Sequence, residues 1–209
     1  MENADLNRFF FLLSGENPTL PFSEVKSILE AEGHDYQILE RLPHVLRIES
    51  SLECVTSLKL RASMTRICGQ ELFNCKAEEN EILESVKASD LSRIMKKGES
   101  FAVRVKRVRG STPEVGRWKL EQKIGEAILA KIEDVKVDLK NPKKSLVGIL
   151  TQNSFIFGLK VAEVRPKPFV ERRPRRRAFF HPTAMPAKLA RCMVNLAQPK
   201  KGELVLDPF

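Results

Sequence analysis

The apolar positions change rhythm from one stretch of the chain to the next, and each rhythm predicts an element. Arg8 to Ser14 (RFFFLLS) is a continuous apolar run closed by Gly15-Glu16-Asn17-Pro18, the pattern of a central strand followed by a loop. Phe22, Val25, Ile28 and Leu29 then recur at helical spacing, with Pro21 suited to a first turn and Gly33 placed for a left-handed C-terminal cap. YQILERL and VLRIES flank Pro43-His44 as two strands. Ser51 is placed to cap a helix with the stripe Leu52, Val55, Leu58 and Ala62, and TRICGQELF returns to strand.

A helix is expected from about Glu79 to Met95, on Ile82, Leu83, Val86, Leu91, Ile94 and Met95. In FAVRVKRV, Phe101, Val103 and Val105 point to one face and Arg104 and Lys106 to the other, because successive strand side chains alternate. Thr112-Pro113 is a helix start, and Leu120, Ile124, Ala127 and Ile128 form that helix's core stripe. VKVDL, SLVGILT and FIFGLKV read as strands, the last two paired across Gln152-Asn153-Ser154. Leu189, Met193 and Leu196 give a further amphipathic helix, and Leu204 to Leu206 a short buried strand leading into Asp207-Pro208. The result is an α+β chain whose first six elements, βαββαβ, follow the ferredoxin-like order.

Charge divides the chain. Residues 1 to 90 carry 9 Lys and Arg against 16 Asp and Glu, whereas the rest carries 27 against 11, so a net charge of +9 joins an acidic half to a basic one. Such asymmetry suggests a polyanion partner for one part, although a solvated cationic face explains the charge equally well. The stretch RPKPFVERRPRRR, with seven Arg or Lys and one Glu, should stay extended and solvated, either as a spacer or as an RNA-contacting strap. Four cysteines without a CxxC pair and three histidines give neither a disulfide scaffold nor a structural zinc site, and core packing suits Cys54, Cys68 and Cys75. Trp118 could stack on a base; packing in the core or between subdomains is the favoured reading. His34 and His44 have no partners at a catalytic spacing, so no chemistry is expected in the first half. The N-terminus has no signal-peptide pattern and no stretch is long enough to span a bilayer, so a cytoplasmic protein without membrane contact is expected.

FAVRVKRVRG, EVGRWKLEQKIGEAI and VDLKNPKKSLVGIL, in that order, resemble a THUMP domain, an RNA-binding module of tRNA-modifying enzymes. Downstream, His181-Pro182, Leu189-Ala190-Arg191, Met193 to Ala197 and Asp207 to Phe209 resemble the entry to the Rossmann-like catalytic domain of THUMP-containing RNA methyltransferases. They are most similar to the archaeal tRNA guanine-N2 methyltransferases that act on guanosine 10. The resemblance implies a ferredoxin-like domain over 1–75, THUMP over 76–164, a basic linker over 165–182 and the first helix and strand of a truncated methyltransferase domain over 183–209.

It implies further that the partner is the acceptor end of tRNA and that the intact enzyme uses S-adenosylmethionine. The RNA-contacting candidates are Arg104, Lys106, Arg107, Arg109, Arg117, Lys119, Lys123, Lys143, Lys144, Arg172, Arg173, Arg175, Arg176 and Arg177. His181, Pro182 and Asp207 would edge the cofactor site once completed. The glycine-rich cofactor turn and the guanine-holding motif of that family do not follow, so the chain alone is expected to bind tRNA without cofactor and without methylating it. The missing catalytic domain would act in cis, or in trans if the chain is a free-standing THUMP adaptor.

Overall fold

The computed structural model describes residues 6–108, 116–176 and 178–206, and one eight-stranded sheet passes through both halves of the chain. The first half supplies β1 (Asn7–Leu13), α1 (Leu20–Ala31), β2 (Tyr36–Leu42), β3 (Val45–Ser50), α2 (Glu53–Arg61) and β4 (Thr65–Lys76). These strands lie in the order β2-β3-β1-β4, every neighbour antiparallel. The run of three phenylalanines in β1 has a direct explanation, since both faces of the strand are covered. Phe9 and Phe11 pack under α1 and α2, while Phe10 joins Val45, Ile67, Val147 and Ile156 on the opposite face.

The second half contributes α3 (Glu79–Ala88), β5 (Ser100–Arg107), α4 (Arg117–Lys131), β6 (Lys136–Val137), β7 (Lys144–Thr151) and β8 (Ser154–Glu163). It extends the sheet as β4-β8-β7-β5-β6, with β5 parallel to both of its neighbours. β4 and β8 approach so closely that a Cβ at Gly158 would lie 1.9 Å from the Gln70 carbonyl oxygen. The Thr151 hydroxyl donates to the Pro43 carbonyl at 2.9 Å, joining β7 to the turn between β2 and β3 although β1, β4 and β8 lie between β3 and β7 in the sheet. With about 4.8 Å per strand, that contact requires a strongly curled sheet.

Several expected elements are corrected. The helix from Glu79 stops at Ala88, because the Asp90 carboxylate accepts hydrogen bonds from the Ser92 backbone (3.2 Å) and hydroxyl (2.5 Å) and opens a separate turn at Leu91–Arg93. Leu52 is exposed, whereas Val55, Leu58 and Ala62 of the expected stripe are buried together with Cys54. α4 begins at Arg117 behind an extended Gly116, and Thr112-Pro113 lie outside the described residues. The strand expected in VKVDL is reduced to two residues, since the Asp138 side chain accepts from the Lys140 and Asn141 backbone at 2.9 and 3.0 Å and starts a turn.

The tail differs most. The stretch expected to be extended folds into α5 (Lys167–Glu171) and a turn at Pro174–Arg176, because its prolines fall in first-turn positions. It is solvated as expected, with Arg172, Arg173, Arg175 and Arg176 all exposed. The helix that follows, α6 (Ala187–Leu196), docks on α1. It does so through Lys188, Arg191, Cys192 and Asn195 rather than through the expected apolar stripe, and Met193 and Val194 stay half exposed. Those four docking residues recur at i, i+3, i+4 and i+7, a complete helical face that hydropathy alone does not pick out. Leu204, Val205 and Leu206 form no strand and are 99%, 62% and 81% exposed, since no strand pairs with them among the described residues.

Candidate nucleic-acid interface

The expected cations divide into two groups. Alternation carries Arg104 and Lys106 off the core face of β5, but the Arg104 guanidinium donates to the Leu139 carbonyl at 3.0 Å and to Val103 at 3.2 Å, tying it to the sheet edge. Lys123 is ion-paired with Glu79, linking α4 to α3, and Lys143 pairs with Glu99 at 2.9 Å. Backbone donation from Lys96, then Lys143, holds the Glu99 carboxyl below the usual range. Arg107 and Lys144 are half-buried, whereas Lys106, Arg117 and Lys119 are exposed without a carboxylate partner among the described residues. Arg109 and Asp207 lie outside the described residues, and Arg177 lies outside them too.

Trp118 is 78% exposed, contrary to the expected packing. Two residues before Leu120 on a helix means a rotation of about 200°, which turns it away from the core stripe. It lines an apolar cleft of about 310 Å³ with Phe101, Leu129, Val137 and Leu139.

The linker side is different. Two clefts flank α5, where the chain leaves β8. One, of about 530 Å³, is walled by Thr65 and Arg66 of β4, Lys106 of β5, Arg165 and Arg173 around α5, and Lys188 of α6. The other, of about 590 Å³, takes Lys59, Lys160, Arg165, Arg172 and Arg191. Among the described residues that line them, only Glu16 and Glu163 add negative charge, and each already has a lysine: Lys188 at 2.7 Å and Lys160 at 2.8 Å. Those hydrogen bonds come first in holding both carboxyls below their usual range, with added Coulomb effects from Arg66 on Glu16 and from Lys106 and Arg165 on Glu163. Arg66, Arg165, Lys188, Lys160, Lys59 and Arg191 were not expected as site residues. They are far apart in sequence, and only the curl of the sheet and the docking of α6 gather them.

That docking rests on Glu24 of α1, which is fully buried. Its carboxyl oxygens accept from the Ser63 backbone (3.0 Å), the Ser63 hydroxyl (2.6 Å), the Met64 backbone (2.7 Å) and the Asn195 amide of α6 (2.9 Å). Asn195 also donates to the Arg61 carbonyl at 3.0 Å, as does Arg191 at 2.8 Å, and Lys188 donates to the Ser14 hydroxyl at 3.0 Å. The helix is thus fastened to the first half at its two ends and its middle.

The expected edge of a cofactor site is less built. His181 and Pro182 are exposed on the loop before α6, with His181 Nδ1 2.7 Å from the Thr183 hydroxyl, and neither lines the two basic clefts. Cys54, Cys68 and Cys192 are buried and Cys75 packs half-buried against the core. Burial pushes the Cys54 and Cys192 thiols up to about 11 and Cys68 to about 12, which makes them poor nucleophiles. No helix among the described residues is long and apolar enough to cross a membrane.

Residues 76–159 match the THUMP domain and residues 174–209 the RMKL-like methyltransferase domain. The tRNA (guanine(10)-N2)-dimethyltransferase of Methanothermobacter thermautotrophicus is 34% identical over 95% of this chain and 56% of its own length. The protein of the same name from Methanocaldococcus jannaschii is 29% identical over 95% of this chain and 60% of its own. The chain therefore spans somewhat over half the length of these relatives. The fold matches that of a predicted N6-adenine-specific DNA methylase from Listeria monocytogenes with a TM-score of 0.59 at 13% identity, over 90% of this chain and 48% of that one. This chain thus combines a THUMP domain with RMKL-like methyltransferase-domain sequence, and archaeal tRNA (guanine(10)-N2)-dimethyltransferases are its homologues along nearly its whole length.

Proposed function

We propose that this chain is the tRNA-binding portion of an S-adenosylmethionine-dependent tRNA guanine-N2 methyltransferase that modifies a guanosine at position 10. In this reading residues 1–75 are a ferredoxin-like domain, 76–164 THUMP, 165–182 a linker and 183–209 the opening of a Rossmann-like catalytic domain. The observation that carries it is the succession of a THUMP match and a methyltransferase-domain match in one chain whose curated relatives carry that enzymatic name. The strand order β2-β3-β1-β4 supports the ferredoxin-like assignment, and the exposed arginines around α5 support a polyanionic partner.

The chemistry of the grip is electrostatic. Each phosphate neutralised by Lys or Arg releases condensed counterions, so binding is tight at low salt and weakens steeply as salt rises. Arg presents a fork that bonds two phosphate oxygens at once. Guanine methylation also requires the donor methyl and the acceptor nitrogen in line and a site for the amine's proton. His181 and Pro182 are exposed and line neither basic cleft, so they carry no methyl-transfer step in this reading. In this reading the chain by itself binds tRNA without methylating it. Incubating the purified chain with tRNA and labelled S-adenosylmethionine tests this: bound tRNA without incorporated label is expected, and label in the RNA contradicts it.

A further inference from the structure

The 530 Å³ cleft has features that general basicity does not account for. Pro186, Ala187 and Lys188, the start of α6, form one wall, and Pro186 at the N-cap provides no side-chain acceptor for the first-turn N–H groups. The first turn of a helix leaves its N–H groups without intrahelical partners and gathers a partial positive charge. A second wall residue, Thr65, is 1% exposed, and its hydroxyl has no hydrogen-bond partner among the described residues. A buried hydroxyl without a partner costs about 1–3 kcal/mol, a cost that an acceptor in the cleft would remove. Around these stand Arg66, Lys106, Arg165 and Arg173, none within ion-pair distance of a carboxylate among the described residues.

An uncapped helix N-terminus, a buried hydroxyl and several guanidinium and ammonium groups lining one cleft make up the kind of donor set that a tetrahedral phosphate takes. We propose that this cleft is a phosphate site, occupied by a backbone phosphate of the bound RNA. The inference rests on the tRNA-binding reading above and adds a particular place where β4, the linker and the methyltransferase-like helix α6 meet on one phosphodiester. The site exists only while α6 is docked, because its N-terminal wall moves with that helix. An RNA phosphate bound there would hold the linker and α6 against the first half, and so set the direction in which a catalytic domain leaves this chain.

The test uses the 209-residue chain with 15N labelling, unmodified tRNA, and inorganic phosphate as the second probe. Arg66 and Arg165 are both exposed, so R66A/R165A should fold normally, and T65V keeps the shape of the buried wall residue while removing its hydroxyl. The double variant should lose about tenfold in tRNA affinity near 0.1 M salt and about one to two units of log–log salt slope, as expected for one or two lost phosphate contacts. T65V should lose about tenfold, the low end for one hydrogen bond to a charged group. The Lys188 and Leu189 amide resonances should shift with tRNA in the wild type and not in the double variant. Wild-type tRNA affinity and salt slope in R66A/R165A overturn the proposal. So do Lys188 and Leu189 signals that move with inorganic phosphate but not with tRNA, an outcome that assigns the cleft to a small phosphorylated ligand. A wild-type chain that binds no tRNA at all instead removes the proposed function on which the inference stands.

Discussion

The cations of β5, α4 and the β7 entry and those around α5 carry the same charge in the sequence and meet different fates in the fold. On the first side Arg104 is tied to a carbonyl at the sheet edge, and Lys123 and Lys143 reach carboxylates of neighbouring elements. Lys131 of the same helix donates to the Ser89 carbonyl at 2.5 Å and to Lys87, closing the C-terminal end of α3. On the linker side the arginines stand around two clefts whose lining carboxylates, among the described residues, are already engaged by lysines. A count of basic residues therefore overstates the cation available to RNA on one side and understates it on the other. Arg66 belongs to the second side although it draws no attention in the sequence, and it stands there beside Arg165, the first residue of the basic stretch.

The largest effect that would separate the two regions is on RNA affinity. Replacing Arg172, Arg173, Arg175 and Arg176 together with alanine should weaken tRNA binding about 100-fold near 0.1 M salt and flatten its salt dependence by several units. Filter binding at several salt concentrations measures both, and an unchanged slope would move the RNA elsewhere.

The latch between the regions comes next. Glu24→Ala leaves the Ser63, Met64 and Asn195 donors without their acceptor and should cost about 2–4 kcal/mol, read from urea unfolding. Asn195→Ala removes one of those contacts and should cost about 1–2 kcal/mol, with faster hydrogen exchange across residues 187–197 than in the β sheet. Equal acceleration in both places would mean that α6 is not a separately releasable unit.

Acid should loosen the same helix selectively. The Glu16 carboxyl, held below its usual value by Lys188, adds to docking fully above the ordinary carboxylate range and loses that contribution as pH falls through its lowered value. Protection factors of the α6 amides against hydrogen exchange, followed from pH 5.5 downward, should fall in that window; in Glu16→Gln the fall should be weaker.

The smallest effects are expected on the THUMP side. K123A/K143A should change tRNA affinity no more than about twofold while lowering stability by up to about 1 kcal/mol, since both lysines serve partly exposed ion pairs. Trp118→Ala, at an exposed position, should stay within about 0.5 kcal/mol of wild-type stability. Leu120→Ala, two residues along and fully buried, should cost about 2–5 kcal/mol.

Much of the fold was legible because its elements follow from local pattern. The apolar run of β1, the alternation in β5 and the stripe Leu120, Ile124, Ile128 each name an element and its buried face. The misses have two causes, local side-chain hydrogen bonds that end or open an element and partners that only tertiary packing supplies. Asp90 ends a helix by a local side-chain hydrogen bond. α6 docks by its polar face because Glu24 and the carbonyls of Leu60 and Arg61 are there to receive it. The candidate interface was half legible, since the arginines of the linker are contiguous in sequence. Thr65, Arg66 and Lys188 are not, and only the packing of β4 against the linker and α6 places them around one cleft.

The most direct test of the central claim, that this chain grips tRNA through its cations, is an anisotropy titration of labelled tRNA with the purified chain between 50 and 300 mM salt. The account predicts binding that weakens steeply and linearly on a log–log plot, with a slope of several phosphate equivalents. An affinity indifferent to salt, or no binding at the lowest salt, would contradict it.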